Sequence, residues 1–292
     1  MTSLRWGAKT MESVSRPLVS VIIPTYNMEQ HIAETLNSVQ SQTLESWEAI
    51  VVDDCSTDLT AQIVNNFVEQ DPRIRYCRLP KNSNLPAVPR NYGIQQAHGK
   101  YVALLDHDDA WNPQKLQRQV QVLEEDEDLA MVHSQLWVVR DGRRFWGIFY
   151  LRSPRQCIAV ESSLKWRNVI QCSAVMVRKV VIQDLGGFDE SLELRAVEDY
   201  HLWYRISQQH RIAFISEIHG VYRHDKSSTS SIENMVHRLQ KVDQALGTLT
   251  SATKQNFLRK IMAKALNFPS VLYFLILEGR YRQYVGSSPR CW

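Results

Sequence analysis

The sequence predicts an α/β fold with a mainly parallel sheet flanked by helices. Three observations predict it. Short β-branched runs alternate with amphipathic segments between Val19 and Leu105, acidic or polar residues follow the runs directly, and Gly, Pro and Asn punctuate the connections. Such alternation produces parallel strands joined by right-handed helical crossovers. Because ligands gather at the carboxyl ends of strands in these sheets, the polar residues there predict a binding site.

The elements of the first half follow in regular order. Strands are predicted over 19–23, 47–52, 74–79 and 101–105, with helices over 29–42, from Thr57 or Asp58 onward, and over 89–97. Pro24 is predicted to stop the first strand. Thr57 or Asp58 is predicted to cap the second helix, and Gly99 to cap the end of the third.

The second half is less regular. Asn112 and Pro113 predict the cap and first turn of a helix that runs through Leu123. Strands are predicted over 131–139, 172–177 and 211–215, and helices over 181–185 and 198–208. Segment 140–170 is rich in Arg and aromatic residues but has little periodicity, so we expect loops or a hairpin there.

The two ends of the chain differ from the middle. Residues 1–17 lack the apolar core of a signal peptide and are predicted to be a flexible leader. The longest apolar run, 271–277, is far shorter than the ~20 residues that span a bilayer. Five scattered cysteines without a CxxC pair favour a reducing compartment over a zinc site or a disulfide framework. We therefore expect a cytoplasmic protein.

Charge is unevenly distributed. The net charge of +3 does not indicate a nucleic-acid partner. Residues 251–292 hold seven basic residues against one acidic residue, a net +6, which leaves −3 for the first 250. Segment 254–285 mixes basic and apolar side chains. It is either an interfacial helix on anionic lipid, at the inner face of the membrane, or a helical pair packed on the preceding domain with its lysines solvated.

Two acidic clusters follow predicted parallel strands. Asp53 and Asp54 follow the second strand, and Asp106-His107-Asp108-Asp109 follows the fourth. Carboxylates at i and i+2 suit Mg²⁺ or Mn²⁺ and a diphosphate, with His107 interpreted as a spacer. A lone triplet of this kind is more often a solvated turn, so its interpretation depends on its neighbours.

Other candidate residues lie near the same edge. Tyr26 could stack on a nucleobase, and Arg90 suits phosphate or carboxylate partners. Asp199 opens a predicted helix, where it either complements the dipole or acts as a general base. His224 is a candidate metal or diphosphate contact. Each has a structural alternative: a turn, a surface arginine, a helix terminus and a structural histidine.

Taken in order, these motifs resemble the family 2 glycosyltransferases of the GT-A fold, whose sheet is Rossmann-like and mixed. The matching pieces are Val-Ser-Val-Ile-Ile-Pro-Thr-Tyr-Asn at 19–27, Val-Val-Asp-Asp-Cys-Ser-Thr-Asp at 51–58, Arg-Asn-Tyr-Gly at 90–93, Asp-His-Asp-Asp-Ala-Trp at 106–111, Gly-Gly-Phe at 186–188, Glu-Asp at 198–199 and Tyr-Arg-His at 222–224. Cys55 departs from the family pattern, in which small or polar residues are more usual.

The resemblance implies an inverting transferase that moves a sugar from a nucleoside diphosphate, with UDP-sugars favoured, to a glycan or lipid-linked acceptor in cell-surface polysaccharide, lipopolysaccharide or glycolipid synthesis. It implies a catalytic domain over 18–231, divided at 111 into nucleotide and acceptor halves, and a helical extension over 232–292. The implied catalytic base is Asp199. The implied nucleotide-binding residues are Pro24, Tyr26, Asn27, Asp54, Arg90 and Asp106. Mn²⁺ or Mg²⁺ is assigned to Asp108, Asp106 and His224, and acceptor or supporting roles to Glu198, Asp109 and Trp203.

Three other classes are weaker. A nicotinamide oxidoreductase would place GxGxxG after the first strand, where Pro-Thr-Tyr-Asn stands. A sugar nucleotidyltransferase would need a glycine-rich phosphate loop there as well. A catalytically silent nucleotide-sugar-binding module would be expected to lack Asp108 or Asp199, and both are present.

Overall fold

The computed structural model describes residues 16–140, 143–145, 164 and 168–223. The strands are β1 (Val19–Thr25), β2 (Trp47–Asp53), β3 (Ile74–Arg78), β4 (Tyr101–Leu104), β5 (Ala110–Trp111), β6 (Leu129–Arg140), β7 (Arg143–Phe145), β8 (Val175–Arg178) and β9 (Arg211–Arg223). The helices are α1 (Ile32–Gln40), α2 (Thr60–Gln70), α3 (Ala87–Gln96), α4 (Lys115–Glu125), α5 (Lys179–Asp184) and α6 (Glu198–Gln209), with short 3-10 turns at Cys172–Ala174 and Leu192–Leu194.

Within these residues the strands form one mixed sheet in the order β3-β2-β1-β4-β8-β6-β9-β5, with β7 paired to β6. Strands β3, β2, β1 and β4 are parallel neighbours. Strand β8 runs antiparallel to both β4 and β6, and so joins the parallel half to the second half. The predicted α/β fold with a mixed sheet is confirmed.

Both faces of the parallel half are covered. Along β1, Ile22 packs in one hydrophobic cluster, while Val21 and Ile23 pack in the cluster on the opposite face. Every residue of β1 and β2 is buried. A strand buried on both faces is apolar without alternation, which explains the continuous β-branched run that predicted β1.

Several local predictions were wrong; the residue before α2, for example, is Leu59 and not Thr57 or Asp58. Strand β1 continues through Pro24, which lies opposite Val52, and ends at Thr25. Helix α3 ends at Gln96, and Gly99 does not cap it: a Cβ on Gly99 would lie 2.6 Å from the backbone nitrogen of Ser20, so close packing on β1 requires the glycine.

The predicted cap of α4 was also wrong. Asn112 does not cap this helix, because its side chain donates instead to the carbonyl of Ile218 at 2.9 Å. The helix begins at Lys115 after Gln114.

Loops or a hairpin are expected over 140–170, and within the described part of this segment β7 forms a hairpin with β6. No helix within the described ranges is long and apolar enough to cross a membrane. The predicted extension 232–292 and nearly all of the leader lie outside those ranges.

Candidate active site

The site lies where β1, β2 and β4 end side by side. Because Thr25 pairs with Asp53 and Ile22 pairs with Leu104, the residues that follow these strands emerge at one edge of the sheet. This edge carries Tyr26, Asp54 and the acidic loop that begins at Asp106. The predicted convergence of these segments is therefore present in the fold.

The two adjacent carboxylates after β2 have different surroundings. Asp53 is completely buried; its Oδ1 accepts hydrogen bonds from the Ser56 amide at 2.8 Å and the Ser56 hydroxyl at 2.6 Å, and its Oδ2 accepts one from the Tyr76 hydroxyl. Burial, with this hydrogen bond, raises the pKa of Tyr76 to about 12. Asp53 thus holds the loop after β2 in shape.

Asp54 faces the next loop. Its Oδ1 accepts a hydrogen bond from the Ser83 amide and its Oδ2 one from the Ser83 hydroxyl, both at 2.8 Å. A carboxylate has about four acceptor positions, so two remain for a ligand. Asp54 is the member of the pair suited to a ring N–H, and its role toward a base stays a prediction.

The loop after β1 is fixed by its backbone. Asn27 adopts a φ of 46°, its amide donates to the Ser56 hydroxyl at 2.9 Å, and its side-chain oxygen accepts the Thr57 amide at 2.8 Å. Pro24 is buried, whereas the Tyr26 side chain is 43% exposed. Of the residues assigned to the nucleotide, Tyr26 therefore presents an open ring, while Asn27 ties the loops after β1 and β2 together.

His107 is more than the spacer predicted from the sequence. The Tyr26 amide donates to its Nδ1 at 3.3 Å, so this nitrogen acts as an acceptor. Burial lowers the pKa of the imidazole, which keeps the ring neutral and the nitrogen available. The histidine thereby links the loop after β4 to the loop after β1, a contact that the triplet itself does not indicate.

Asp106 and Asp108 form the candidate cation site. The Asp106 side chain is 26% exposed. Burial first, and also the nearby Asp106 carboxylate, raise the pKa of Asp108. Neighbouring carboxylates are favourable ligands for a divalent cation, since a bound cation offsets the repulsion between them. The hard oxygen donors fit Mg²⁺ or Mn²⁺. His224 lies outside the described residues.

Asp109 supports this loop from beneath. Its side chain is fully buried, and its Oδ1 accepts the Arg223 amide at 2.9 Å. Burial raises the pKa of this carboxyl well above its usual range. The Thr35 hydroxyl contacts the carbonyl oxygens of His107 at 2.9 Å and Asp109 at 2.8 Å. The sequence predicts either an acceptor-binding or a supporting role for Asp109, and its burial favours the supporting one.

Arg90 connects the two halves of the site. From α3 it donates to Asp106 at 2.7 Å and to Glu198, the first residue of α6, at 2.6 Å. The Arg90 and Glu198 side chains are 7% and 6% exposed. Glu198 therefore has a supporting partner, and the predicted contact of Arg90 with a donor remains a prediction.

The next residue of α3 holds the Gly-Gly-Phe turn. Asn91 accepts the Phe188 amide and donates to the Phe188 carbonyl, each at 2.8 Å. Gly187 has a φ of 74°, and a Cβ there would lie 2.5 Å from the Asn91 oxygen. Glycine is thus required for both conformation and space.

Asp199 has the properties of a general base at neutral pH. Burial and the adjacent Glu198 raise its pKa to about 7, although Arg90 acts in the opposite direction. Its Oδ1 accepts the Tyr200 amide at 2.7 Å and its Oδ2 accepts the Asn168 side-chain amide at 3.1 Å. Titration near the working pH is what efficient proton transfer requires.

Other candidates are placed less directly. Trp203 is completely buried and meets Phe188 edge-on, with ring centroids 6.1 Å apart, which favours support over acceptor contact. Burial, followed by the carboxylates of Asp109 and Asp106, raises the pKa of Tyr222, so this tyrosine faces the acidic loop. Sequence reasoning missed Asn168, because it stands in an aperiodic segment, and Ser83, because loop partners have no local pattern.

Comparisons with known proteins agree with this geometry. The pattern of Glycosyl transferase family 2 matches residues 20–185. One relative is the putative teichuronic acid biosynthesis glycosyltransferase TuaG of Bacillus subtilis (strain 168). It is 32% identical over 217 residues, which cover 74% of this chain and 82% of TuaG.

Two solved structures share the fold. The Staphylococcus aureus TarS 1–349 complex with UDP gives a TM-score of 0.62 at 24% identity and covers 90% of this chain and 76% of that one. The mannosyltransferase PcManGT from Pyrobaculum calidifontis, in complex with GDP-Man and Mn²⁺, gives a TM-score of 0.61 at 20% identity. The match covers 92% of this chain and 83% of that one. With the GT-A architecture shared and the family pattern matched over more than half its length, the chain belongs to glycosyl transferase family 2.

Proposed function

We propose that this glycosyltransferase inverts the anomeric centre as it moves a sugar from a nucleoside diphosphate to an acceptor hydroxyl in cell-surface polysaccharide or glycolipid synthesis. The observation that carries the proposal is the Asp199 carboxyl, whose pKa is raised to about 7 and which directly follows Glu198, a residue that Arg90 pairs with while also pairing with Asp106. The proposed proton acceptor is thus next in sequence to the ion pairs that reach the candidate diphosphate site.

The donor is proposed to be a UDP-sugar. Asp54, with two acceptor positions left by Ser83, suits a ring N–H, and the open ring of Tyr26 suits stacking on a base. Related folds support the class of ligand: TarS structures contain UDP or UDP-GlcNAc, and PcManGT contains GDP-Man. TuaG supports a cell-surface polysaccharide as the product.

The residues fit a divalent cation. Asp108, with Asp106 and the predicted His224, would hold Mn²⁺ or Mg²⁺, which when bound offsets charge on the departing diphosphate. The protein contributes a preformed loop, because Thr35 and Arg223 anchor the backbone of His107 to Asp109 from two sides. A fixed loop needs little reorganisation as charge develops.

Asp199 supplies the proton chemistry. Its ionised carboxylate takes the proton of the acceptor hydroxyl while that oxygen bonds to the anomeric carbon, and the bond from that carbon to the diphosphate oxygen breaks with its electron pair leaving on the diphosphate. Attack opposite to the leaving group inverts the configuration. Peripheral membrane contact through 254–285 and cytoplasmic location stay predictions, since no described residue bears on them.

The test is transfer and hydrolysis of UDP-Glc, UDP-GlcNAc and GDP-Man with Mn²⁺, first with purified enzyme and then with Asp199→Asn. We expect the variant to lose about 10²–10⁴-fold in kcat with donor binding unchanged. Glu193→Gln, an exposed acid in the preceding turn, is the matched control and should keep full activity.

Three outcomes would contradict the proposal. Near wild-type kcat for Asp199→Asn would remove Asp199 as the base. Retention of configuration in the product, read by NMR, would exclude inversion. Binding of nucleotide sugars without any turnover would favour the catalytically silent binding module.

A further inference from the structure

The carboxyl group of Asp199 is held at two points. Its Oδ1 accepts a hydrogen bond from the amide that directly follows it, at Tyr200, and its Oδ2 accepts one from the side-chain amide of Asn168. The first contact is local to the start of α6. The second comes from a residue 31 positions earlier in the chain, so it depends on the tertiary fold.

Asn168 is itself oriented. Its side-chain oxygen accepts the backbone amide of Ile170 at 3.1 Å, so its amino group must point the other way, toward Asp199. The residues that follow, Val169 and Ile170, are 3% and 2% exposed and pack in the core. The amide donor is therefore mounted on a buried segment, which limits its movement.

We propose that Asn168 is a positioning residue that aims the Oδ2 lone pairs of Asp199 at the acceptor and keeps that carboxylate ionised. The proposal rests on the function proposed above, with Asp199 as base. An amide N–H stabilises the charged carboxylate and not the neutral acid, and so counteracts burial. With this donor fixed on one side of Oδ2, the remaining lone pair has a defined direction.

Other charged and titratable groups also act on Asp199. They are Glu198 beside it on α6, Arg90 on α3, Asp106 at the end of β4, Cys172 on the 3-10 turn and Tyr222 on β9. Arg90 is already paired with Asp106 and Glu198, and Cys172 is buried. Within the described ranges, Asn168 is the neutral side chain that donates to the base.

The test compares Asn168→Asp with Asn168→Ala. Aspartate keeps the oxygen that accepts the Ile170 amide but replaces the donor to Asp199 with a like charge, whereas alanine removes both groups without adding charge. We expect the acid limb of the pH profile of kcat to move upward in both variants, by about one to two pH units in Asn168→Asp and by less in Asn168→Ala; a shift confined to Asn168→Asp would assign it to the added charge and overturn the inference. At pH 7 the kcat of Asn168→Asp should fall about tenfold, with the Kd for UDP unchanged. Asn66→Asp, the same change at an exposed position of α2, should match wild type.

A measurement that needs no turnover separates the inference about Asn168 from the proposed function. NMR titration of the Asp199 side-chain carboxyl, identified by its loss in Asp199→Asn, should show the same upward shift in Asn168→Asp. An unshifted titration or profile, or a defect confined to Asn168→Ala, would assign Asn168 to loop structure through Ile170 and overturn this inference alone. A wild-type enzyme without transferase activity, or one whose Asp199→Asn variant keeps full activity, would instead overturn the proposed function.

Discussion

The two halves of the catalytic domain build their share of the site in different ways. In the first half, Asp54 and Asp106 follow β2 and β4, the two parallel strands that flank β1. In the second half, Asp199 stands at the start of α6, and its partner Asn168 comes from a segment without regular structure. Strand ends place residues by sheet geometry, whereas helix starts and loops depend on what they pack against.

This difference also separates their chemistry. The first half offers the carboxylates of Asp54 and Asp106, suited to a base and a cation, while the second half holds the partly buried Asp199, whose pKa is raised to about 7. Nucleotide donors share a common part, whereas acceptors vary. A rigid strand-end site for the shared part and a tunable site for proton transfer are the expected division. Four experiments test how separate the halves are.

The largest effect should come from Arg90→Met, because Arg90 belongs to both halves. Removing the guanidinium leaves Glu198 and Asp106 without their buried partner, and we expect a loss of about 3–5 kcal/mol in the free energy of unfolding. Urea denaturation measures it. Arg211→Met, which removes an arginine that is 62% exposed, should cost less than about 1 kcal/mol. Equal losses would show that the Arg90 bridge does not couple the halves.

Asp53→Asn and Asp54→Asn should differ within the first half. Asp53 accepts four hydrogen bonds in a fully buried position, so its variant should lose about 2–3 kcal/mol of stability. Asp54→Asn should lose less than about 1 kcal/mol but weaken UDP binding about tenfold. Thermal unfolding and calorimetric titration measure the two properties. Normal UDP affinity in Asp54→Asn would remove this residue from base recognition.

The Asp199 carboxyl should destabilise the folded state as the pH rises. Its folded pKa of about 7 lies above the usual value for aspartate, so the folded state loses stability between about pH 4 and pH 7, as the unfolded chain releases its proton first. Asp199→Asn should therefore gain stability relative to wild type as the pH rises from about 4 to about 8, and equal it near pH 4. Denaturation curves at both pH values check this; a gain independent of pH would point to packing instead.

The smallest effect is expected at Cys55. This residue has a φ of 72°, a left-handed conformation that glycine adopts without strain, and its sulfur lies 3.7 Å from Arg78. Cys55→Gly should gain about 0.5–1 kcal/mol in unfolding free energy. Cys77→Gly, within β3, should lose stability by a similar amount. A loss at both positions would show that the sulfur contact outweighs the backbone strain.

Sequence reasoning reached the fold and the strand-end carboxylates because both depend on short-range pattern. Strands β2 and β4 are buried along their whole length, and acidic residues follow both of them. It did not reach the long-range partners. Neither the contact of His107 with Tyr26 nor that of Asn168 with Asp199 has any local signature, since each joins segments far apart in the chain. The cap predicted at Asn112 was wrong for a related reason, because its side chain donates to the carbonyl of Ile218, which is distant in the chain.

The Arg90–Glu198 pair also bears on how the enzyme comes into being. Its two residues are 108 positions apart, so a ribosome must synthesise more than half of the second half before the pair can close. Until then Arg90 on α3 can pair with Asp106, 16 positions away, but not with Glu198. Under the proposed mechanism, a nascent chain at that stage holds the candidate nucleotide site without its proton acceptor. That mechanism therefore requires α6 to dock before donor can be consumed.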